Sequence, residues 1–222
     1  MRHTSAIAVL FGVIFGTHYD QDAVNSQKDA NGLYQGGLGA GVTQMPDWGG
    51  YNGYRPVVPM SAGIELGDAC GEASYEVKKD DGTVVYTAKI PSFFGYKNGF
   101  GSLWRHMDDE QVRCNEDTSV THLVAPSIYG TWTIGSADGM VAYSTSPTKG
   151  EGFIKTLSME HLENFPTATG ASESTYWTSY FWNNSGATSG FRVCLRGARA
   201  YDGGRCGLSA LNVYDAVSVA LV

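Results

Sequence analysis

The C-terminal segment, residues 171–222, carries the side chains best suited to contact another molecule. It is rich in Tyr, Trp, Asn, Ser, Arg and Gly and contains no Lys. Tyr and Trp offer a large contact area at a small loss of side-chain entropy, and Arg makes several polar contacts at once. Catalytic sites need converging titratable groups, which are few here. The composition of this segment is therefore typical of a binding surface.

Within this segment the sequence predicts a surface that contacts a ligand, with no catalytic residue and no metal ligand. The alternative for Trp182 is a position in the core, because a Trp beside Phe181 is often a core residue with its polar tip hydrogen-bonded. The predicted contact residues are Tyr176, Trp177, Trp182, Asn183, Arg199, Tyr201, Asp202, Arg205, Asn212 and Tyr214.

Apolar and basic side chains alternate along residues 191–196. Successive side chains of a strand point to opposite faces. The apolar residues are therefore predicted to pack in the core: Phe191, Val193 and Leu195. The arginines are predicted to face solvent: Arg192, Arg196 and Arg199.

Elsewhere the titratable residues match no catalytic or metal-binding motif. The densest run, residues 106–110, is predicted to be a solvated face, since neighbours on one element do not converge on one point. Asp20, Asp22 and Asn25 are spaced like calcium ligands, but the Gly and the distal Glu of an EF-hand are missing. The Gly-rich residues 31–53 lack the Gly-Lys-Ser/Thr of a phosphate loop. No metal and no other cofactor is predicted.

The four cysteines, Cys70, Cys114, Cys194 and Cys206, show no Cys-x-x-Cys spacing, which disfavours a zinc site. We expect four reduced, mostly buried thiols. A disulfide between Cys194 and Cys206 on adjacent strands is the alternative that the sequence leaves open.

The overall composition limits both the fold and the partners. Charged residues make up 17% of the chain, with 29 Gly, which favours strands joined by tight turns. The formal net charge of −7 argues against nucleic acid or an anionic membrane as a partner. The apolar residues 6–16 are too short to insert across a membrane, and without a small-x-small cleavage site they favour a buried strand over a signal peptide.

Local signals predict the elements that position these residues. An Asp-Gly pair between alternating runs predicts a hairpin over residues 74–90 that turns at residues 80–82. Short helices are predicted at residues 103–106 and 158–164, the second capped by Ser158 and ended by Pro166. Further strands are predicted within residues 120–132, 176–182, 191–196 and 208–222, with loops at 185–190 and 197–207. Residues 1–60 are predicted to be a strand and a loop region that packs on a main domain of residues 61–222.

A spaced frame in residues 189–209, S-G-F-R-V-C-L-R-G-A…G-G-R-C-G-L-S, resembles a known class. It is similar to the end of C-type lectin-like folds in bacteriophage receptor-binding proteins and in the variable proteins of diversity-generating retroelements. Upstream, FFGYKNGFGSLWRH and GYRPVVPMSAGIEL resemble structural proteins of phages that infect Bacteroides. The positions that match the frame are Gly190, Arg192, Val193, Leu195, Gly197, Gly204, Gly207, Leu208, Ala216, Val217 and Ser218.

The resemblance implies an α+β, C-type lectin-like fold, with a twisted antiparallel sheet, one or two short helices and long ordered loops. It implies a non-enzymatic, hypervariable module on a virion tail or head appendage, assembled in the bacterial cytoplasm as a homotrimer. Its partners would be a host cell-surface protein or glycan and other virion proteins. The alternative is a capsid or tail decoration protein whose same surface binds another virion subunit. Formylglycine-generating enzymes share this general fold, and Cys194 with Cys206 would be the reactive pair that such an enzyme needs.

Overall fold

A computed structural model of the chain shows an architecture built almost entirely of β-strands. It describes residues 27–28, 34–35, 71–93, 96–97, 104–117, 119–126, 130–146, 151–158, 163–172, 179–183, 189–198, 202, 205 and 209–217. Of this part of the chain, 55% lies in strands and 3% is helical. The predicted α+β, C-type lectin-like fold is therefore wrong. Among these residues no helix has the length and apolar character needed to cross a membrane.

The described strands form three sheets. A two-stranded ribbon joins β1 (Gln27–Lys28) to β2 (Tyr34–Gln35), and a three-stranded sheet joins β3 (Gly71–Lys78), β4 (Val84–Phe93) and β5 (Tyr96–Lys97). The main sheet has eight strands: β6 (Arg105–Cys114), β7 (Val120–Val124), β8 (Val141–Ser146), β9 (Gly152–Ser158), β10 (Phe165–Thr169), β11 (Tyr180–Trp182), β12 (Gly190–Arg196) and β13 (Leu211–Asn212).

The main sheet curls into a nearly closed barrel. Its strand order is β10-β9-β11-β13-β12-β6-β7-β8, and its two edge strands, β8 and β10, lie against each other. All neighbouring strands are antiparallel except β11 and β13, which are parallel. Closure removes most of the exposed strand edge, which would otherwise pair with other chains.

The core lies inside the barrel. Phe181 pairs with Leu211 across β11 and β13, and Leu211 pairs with Arg196 across β13 and β12, which places these three side chains on one face. Phe165 and Ile154 are fully buried in the same cluster. Burial of each such apolar side chain contributes about 1.5–3 kcal/mol to folding.

A loop over residues 130–140 covers the outer face of β6. The Gln111 side chain holds it, since Oε1 accepts a hydrogen bond from the Gly135 backbone at 2.9 Å and Nε2 donates to the Ser136 carbonyl. Trp132 Nε1 donates to the Asp108 carbonyl at 2.8 Å. The strand is thus buried on both faces from residue 109 to residue 112.

This double burial corrects the prediction of a solvated face at residues 106–110. His106 and Asp108 are exposed, whereas Asp109 and Glu110 are fully buried. The register between β6 and β12 shifts at these residues, since Val193 pairs with Gln111 whereas Leu195 pairs with His106. The strand therefore departs from simple alternation at the place where the sequence concentrates its charges.

The hairpin prediction is confirmed. β3 and β4 pair in antiparallel register, for example Ser74 with Lys89. The chain turns at Gly82, which has a positive φ of 87°, and the Asp81 carboxylate accepts a hydrogen bond from the Thr83 backbone at 2.9 Å. The strand predicted at residues 191–196 is confirmed as β12, and the strand predicted within residues 120–132 ends at Val124.

Both predicted helices are wrong where the structure describes them. Arg105 and His106 belong to β6, and Ser158 ends β9 rather than capping a helix. Pro166 lies within β10, paired with Leu157. An edge strand tolerates Pro because one side of its backbone has no partner strand. Pairing with β9 and burial of Phe165 outweigh the weak local helix signal.

Several predictions fall outside the described residues. These are the strand at residues 6–16, nearly all of the unit at residues 1–60, the first part of the strand predicted at 176–182, and residues 159–162 of the second helix. The division into residues 1–60 and 61–222 stays a prediction.

The covering loop supplies a test of its packing. A Cβ added to Gly139, at φ 74°, would lie 2.0 Å from the Thr131 carbonyl oxygen, whereas one added to Gly82 would meet nothing within 4 Å. Gly82→Ala should therefore cost only the backbone strain of positive φ, about 1–2 kcal/mol. Gly139→Ala should cost at least about 2 kcal/mol more. Urea unfolding of both variants measures the difference, and equal losses would contradict this packing.

Candidate functional site

Four charged or titratable side chains meet inside the barrel and form what we call the internal network: Glu110, His122, Glu163 and Arg196. The Arg196 guanidinium, 1% exposed, binds both oxygens of the fully buried Glu110 carboxylate, Nε to Oε2 at 2.9 Å and Nη2 to Oε1 at 3.2 Å. It also donates to the backbone carbonyls of Glu163 at 3.1 Å and Asn164 at 3.2 Å. The prediction that Arg196 faces solvent is wrong, since β12 turns this side chain into the core.

Glu163 extends the network across the place where the barrel nearly closes. Its carboxylate accepts hydrogen bonds from His122 Nδ1 at 3.1 Å and from the hydroxyls of Ser144 and Ser158. These three donors lie on β7, β8 and β9, while Glu163 itself directly precedes β10. Burial alone would raise the pKa of Glu163, but the hydrogen bonds from His122, Ser144 and Ser158 outweigh it and lower the pKa.

His122 is enclosed on all sides within the network. Its ring stacks on Phe165, with centroids 4.5 Å apart and planes 3° from parallel. Its Nε2 lies 3.8 Å from Glu110 Oε1, so that each ring nitrogen faces a carboxylate. Two carboxylates and an imidazole are groups capable of acid–base chemistry. No side chain of the network is more than 1% exposed in this structure, and the contacts of the network link β6, β7, β8, β9 and β12.

The described cysteines offer no nucleophile either. Cys114 and Cys194 are free and buried, and burial raises the pKa of Cys194 well above its usual range. The alternative of a Cys194–Cys206 disulfide is wrong because Cys194 is a free thiol. Cys70 and Cys206 lie outside the described residues. In the described ranges no three His, Cys, Asp or Glu side chains are grouped to hold a metal ion.

A second group of side chains is open to solvent, and we call it the tyrosine–carboxylate cluster: Glu151, Tyr180, Arg205 and Tyr214. The Tyr180 hydroxyl donates to Glu151 Oε1 at 3.3 Å, and the Tyr214 hydroxyl donates to Glu151 Oε2. The Arg205 guanidinium carbon lies 4.8 Å from the centroid of the Tyr180 ring. Tyr214 is 37% exposed, and Glu151 and Arg205 are also exposed.

A row of aromatic rings supports the cluster from below. Phe153 pairs with Tyr180 across β9 and β11 and meets it edge to face at 5.1 Å. Tyr180 contacts Trp182 at 4.8 Å, and Trp182 in turn contacts Trp104 edge to face at 5.0 Å. Such pairs each add about 0.5–1.5 kcal/mol beyond their burial. These ring contacts therefore hold Tyr180 in place within the cluster.

The surroundings of the two tyrosines in the cluster favour their protonated form. Hydrogen bonding to Glu151, followed by partial burial and by the charge of Glu151, raises the pKa of Tyr214 to about 12. Burial and the charge of Glu151 raise the pKa of Tyr180, while Arg205 opposes the shift. Both phenols therefore stay protonated at neutral pH and remain hydrogen-bond donors to the carboxylate.

The structure brings two of the predicted contact residues together at the surface, Arg205 and Tyr214. Asn212 and Asp202 are half-buried, and the Asn212 side-chain oxygen accepts a hydrogen bond from the Tyr214 backbone at 2.7 Å. Trp182 and Asn183 are only 9% and 2% exposed. The other predicted contacts lie outside the described residues: Tyr176, Trp177, Arg199 and Tyr201.

Glu151 and Tyr180 complete the cluster but are not among the contact residues predicted from the sequence. They are 29 residues apart, and Glu151 is 63 residues from Tyr214. Only the pairing of β9 with β11, and of β11 with β13, brings them together. The run of aromatic residues at 180–182 was a usable signal for Tyr180, whereas nothing in the sequence distinguishes Glu151 from other acidic residues.

Comparison of the chain with protein-family models, with curated proteins and with solved structures found no match. Fold and site alone define its class, which is a barrel-like β-protein with a buried ionic network and an exposed tyrosine–carboxylate cluster.

Breaking the internal network should destabilise the barrel. In Arg196→Met the Glu110 carboxylate stays buried without its partner, which should lower the free energy of unfolding by about 3–5 kcal/mol. The double variant E110L/R196M removes both charges and should lose less than the single variant. Arg113→Met, an exposed position on the same strand as Glu110, should change stability by less than about 0.5 kcal/mol. Urea unfolding that showed strictly additive losses would contradict a coupled pair.

Acid should unfold the protein through Glu163. Because the folded-state pKa lies below the ordinary value of 4.5, the ionised group contributes stability above that value, and the contribution is lost as pH falls through the folded pKa. We expect the urea midpoint of the native chain to fall steeply below about pH 4.5. In Glu163→Gln the midpoint should be lower at pH 7 but less dependent on acid, whereas exposed Glu116→Gln should follow the native chain. An unchanged acid profile in Glu163→Gln would exclude this role.

Proposed function

We propose that the protein is a receptor-binding module of a virion surface and that it attaches to host cells through the tyrosine–carboxylate cluster. The observation that carries the proposal is the contrast between the two groups of polar side chains. The internal network is buried, whereas Tyr214, Arg205 and Glu151 are exposed, and a hydrogen bond joins Tyr214 to Glu151. Tyr and Arg on a rigid base are the residues that most often dominate binding energy. In this proposal the protein acts by binding a receptor and not by catalysis.

The assignment to a phage rests on the frame in residues 189–209 and on the similar upstream segments. The host partner is a cell-surface protein or glycan, and the module sits on a tail or head appendage beside other virion proteins after assembly in the bacterial cytoplasm. A homotrimeric arrangement would convert weak single contacts into firm attachment by raising the effective concentration of the remaining sites. Variation among the surface residues around the cluster would change host range, while the internal network would maintain the barrel fold.

A second role, as a decoration protein bound to other virion subunits, is favoured by two exposed apolar side chains. Val84 and Val141 are 44% and 39% exposed and lie outside the cluster. Singly exposed apolar residues are common on protein surfaces, so that this role ranks below attachment. It requires a stable complex with a virion protein that does not depend on host cells.

The function is tested by binding the labelled protein to a panel of Bacteroides strains. R205A/Y214A should weaken binding to a receptive strain at least about tenfold, because two central contacts are lost. It should leave the melting temperature nearly unchanged, since both residues are exposed. The matched control R113A/Y75A removes an Arg and a Tyr elsewhere and should bind like the native chain.

Stripping surface polysaccharide from the cells separates the two kinds of receptor. Loss of binding would identify a glycan, and retained binding that is sensitive to protease would identify a protein. Equal binding by R205A/Y214A and the control, or no binding to any strain by folded protein, would contradict the proposed function.

A further inference from the structure

The contacts inside the tyrosine–carboxylate cluster indicate which chemical group of a ligand it accepts. We infer that the cluster is a site for a cationic side chain, Arg or Lys, of a receptor protein, and that Arg205 occupies this site in the free chain. The inference rests on the proposed function for the source of the cation, whereas the preference for a cation follows from the cluster alone.

Glu151 supplies the negative charge and is fixed in place. Both of its oxygens accept a phenolic hydrogen bond, one from Tyr180 and one from Tyr214. The full negative charge of Glu151 thus lies near the Tyr180 ring, whose face Arg205 covers, and both a carboxylate and an aromatic face attract ammonium and guanidinium groups. The site opens to a ligand when Arg205 leaves the Tyr180 ring.

Arg205 shows that the site already holds a cation. Its guanidinium carbon lies 4.8 Å from the Tyr180 centroid, inside the range of about 6 Å over which a cation is attracted to an aromatic face. Arg205 is exposed, and the described part of the chain shows no hydrogen bond or salt bridge from its guanidinium. A contact of this kind is weak at an exposed position, so that an incoming guanidinium can replace it.

The alternative ligand, an anion bound by Arg205, fits the surroundings less well. It would lie beside the exposed Glu151 carboxylate, whose negative charge would repel it. The chain as a whole carries a formal net charge of −7. The Glu151 carboxylate and the overall charge of the chain therefore favour a cation. Because the occupant in the free chain is a guanidinium, an Arg or Lys side chain fits the site better than an amino sugar does.

Substitutions of Glu151 and Arg205 give opposite results for a cation and for an anion. The probes are N-acetyl-argininamide, glucosamine and acetate, titrated against the whole purified chain while NMR follows the ring signals of Tyr180 and Tyr214. Native protein should bind N-acetyl-argininamide more tightly than glucosamine and should not respond to acetate. Glu151→Gln should weaken the binding of N-acetyl-argininamide about tenfold, because the charge is lost while the amide oxygen can still accept a hydrogen bond. Arg205→Gln should strengthen the binding of this small probe about threefold, since the internal competitor is gone and the probe, unlike a receptor protein, has no further surface for the displaced Arg205 to contact.

Glu116→Gln, which removes an exposed carboxylate elsewhere, is the matched control and should leave binding unchanged. Weaker binding in Arg205→Gln, a response to acetate, or no binding of N-acetyl-argininamide would overturn the inference. Tighter binding of glucosamine would overturn the assignment to a protein side chain. If cell attachment depends on Arg205 and Tyr214 but no cation binds, the proposed function is supported and the inference is wrong. If a cation binds but the protein does not attach to cells, the inference is supported and the proposed function is wrong.

Discussion

The ion pair between Arg196 and Glu110 is the interaction on which the rest of this structure depends. Removing two such charges from water costs several kcal/mol per ion, and only close geometry with further hydrogen bonds offsets that cost. Here the pair is bidentate, and the remaining guanidinium donors reach the backbone carbonyls of Glu163 and Asn164. Glu163 then binds donors on three more strands. One connected set of polar contacts thus fixes the strands on both sides of the gap between β8 and β10.

The same strands present the surface cluster because side chains alternate along them. In β11, Phe181 packs inside the barrel, while Tyr180 and Trp182 lie on the opposite face. The parallel pairing of β11 with β13 places Tyr214, which follows β13, on the same side as Tyr180. The pairing of β11 with β9 brings Glu151 beside Tyr180. A firm interior therefore gives the exposed side chains fixed positions, which reduces the entropy that binding must overcome.

Much of the local structure could be predicted from sequence, because the signals are local. The Asp-Gly turn at Gly82 and the presence of a strand at β12 each follow from adjacent residues, although burial along β12 does not alternate as predicted. The errors came from tertiary effects. Alternation predicts that Arg196 faces solvent because it assumes that one face of the strand is exposed to water. The carboxylate that permits its burial, that of Glu110, lies 86 residues away in the sequence. The helix at residues 158–164 is predicted from a capping signal that strand pairing overrides. Glu151 had no signal, since only the sheet order brings it to the tyrosines.

The central claim is that the tyrosine–carboxylate cluster is the face that meets a receptor on host cells. Hydroxyl-radical footprinting of the protein on receptive cells, compared with the protein in solution, tests it most directly because oxidation of tyrosine reports local exposure. The account predicts that Tyr214, 37% exposed in the free chain, becomes protected on cells, while labelling of Tyr75 in β3 is unchanged. Unchanged labelling of Tyr214 together with protection of Tyr75 would contradict the account and place the contact on the β3–β5 sheet.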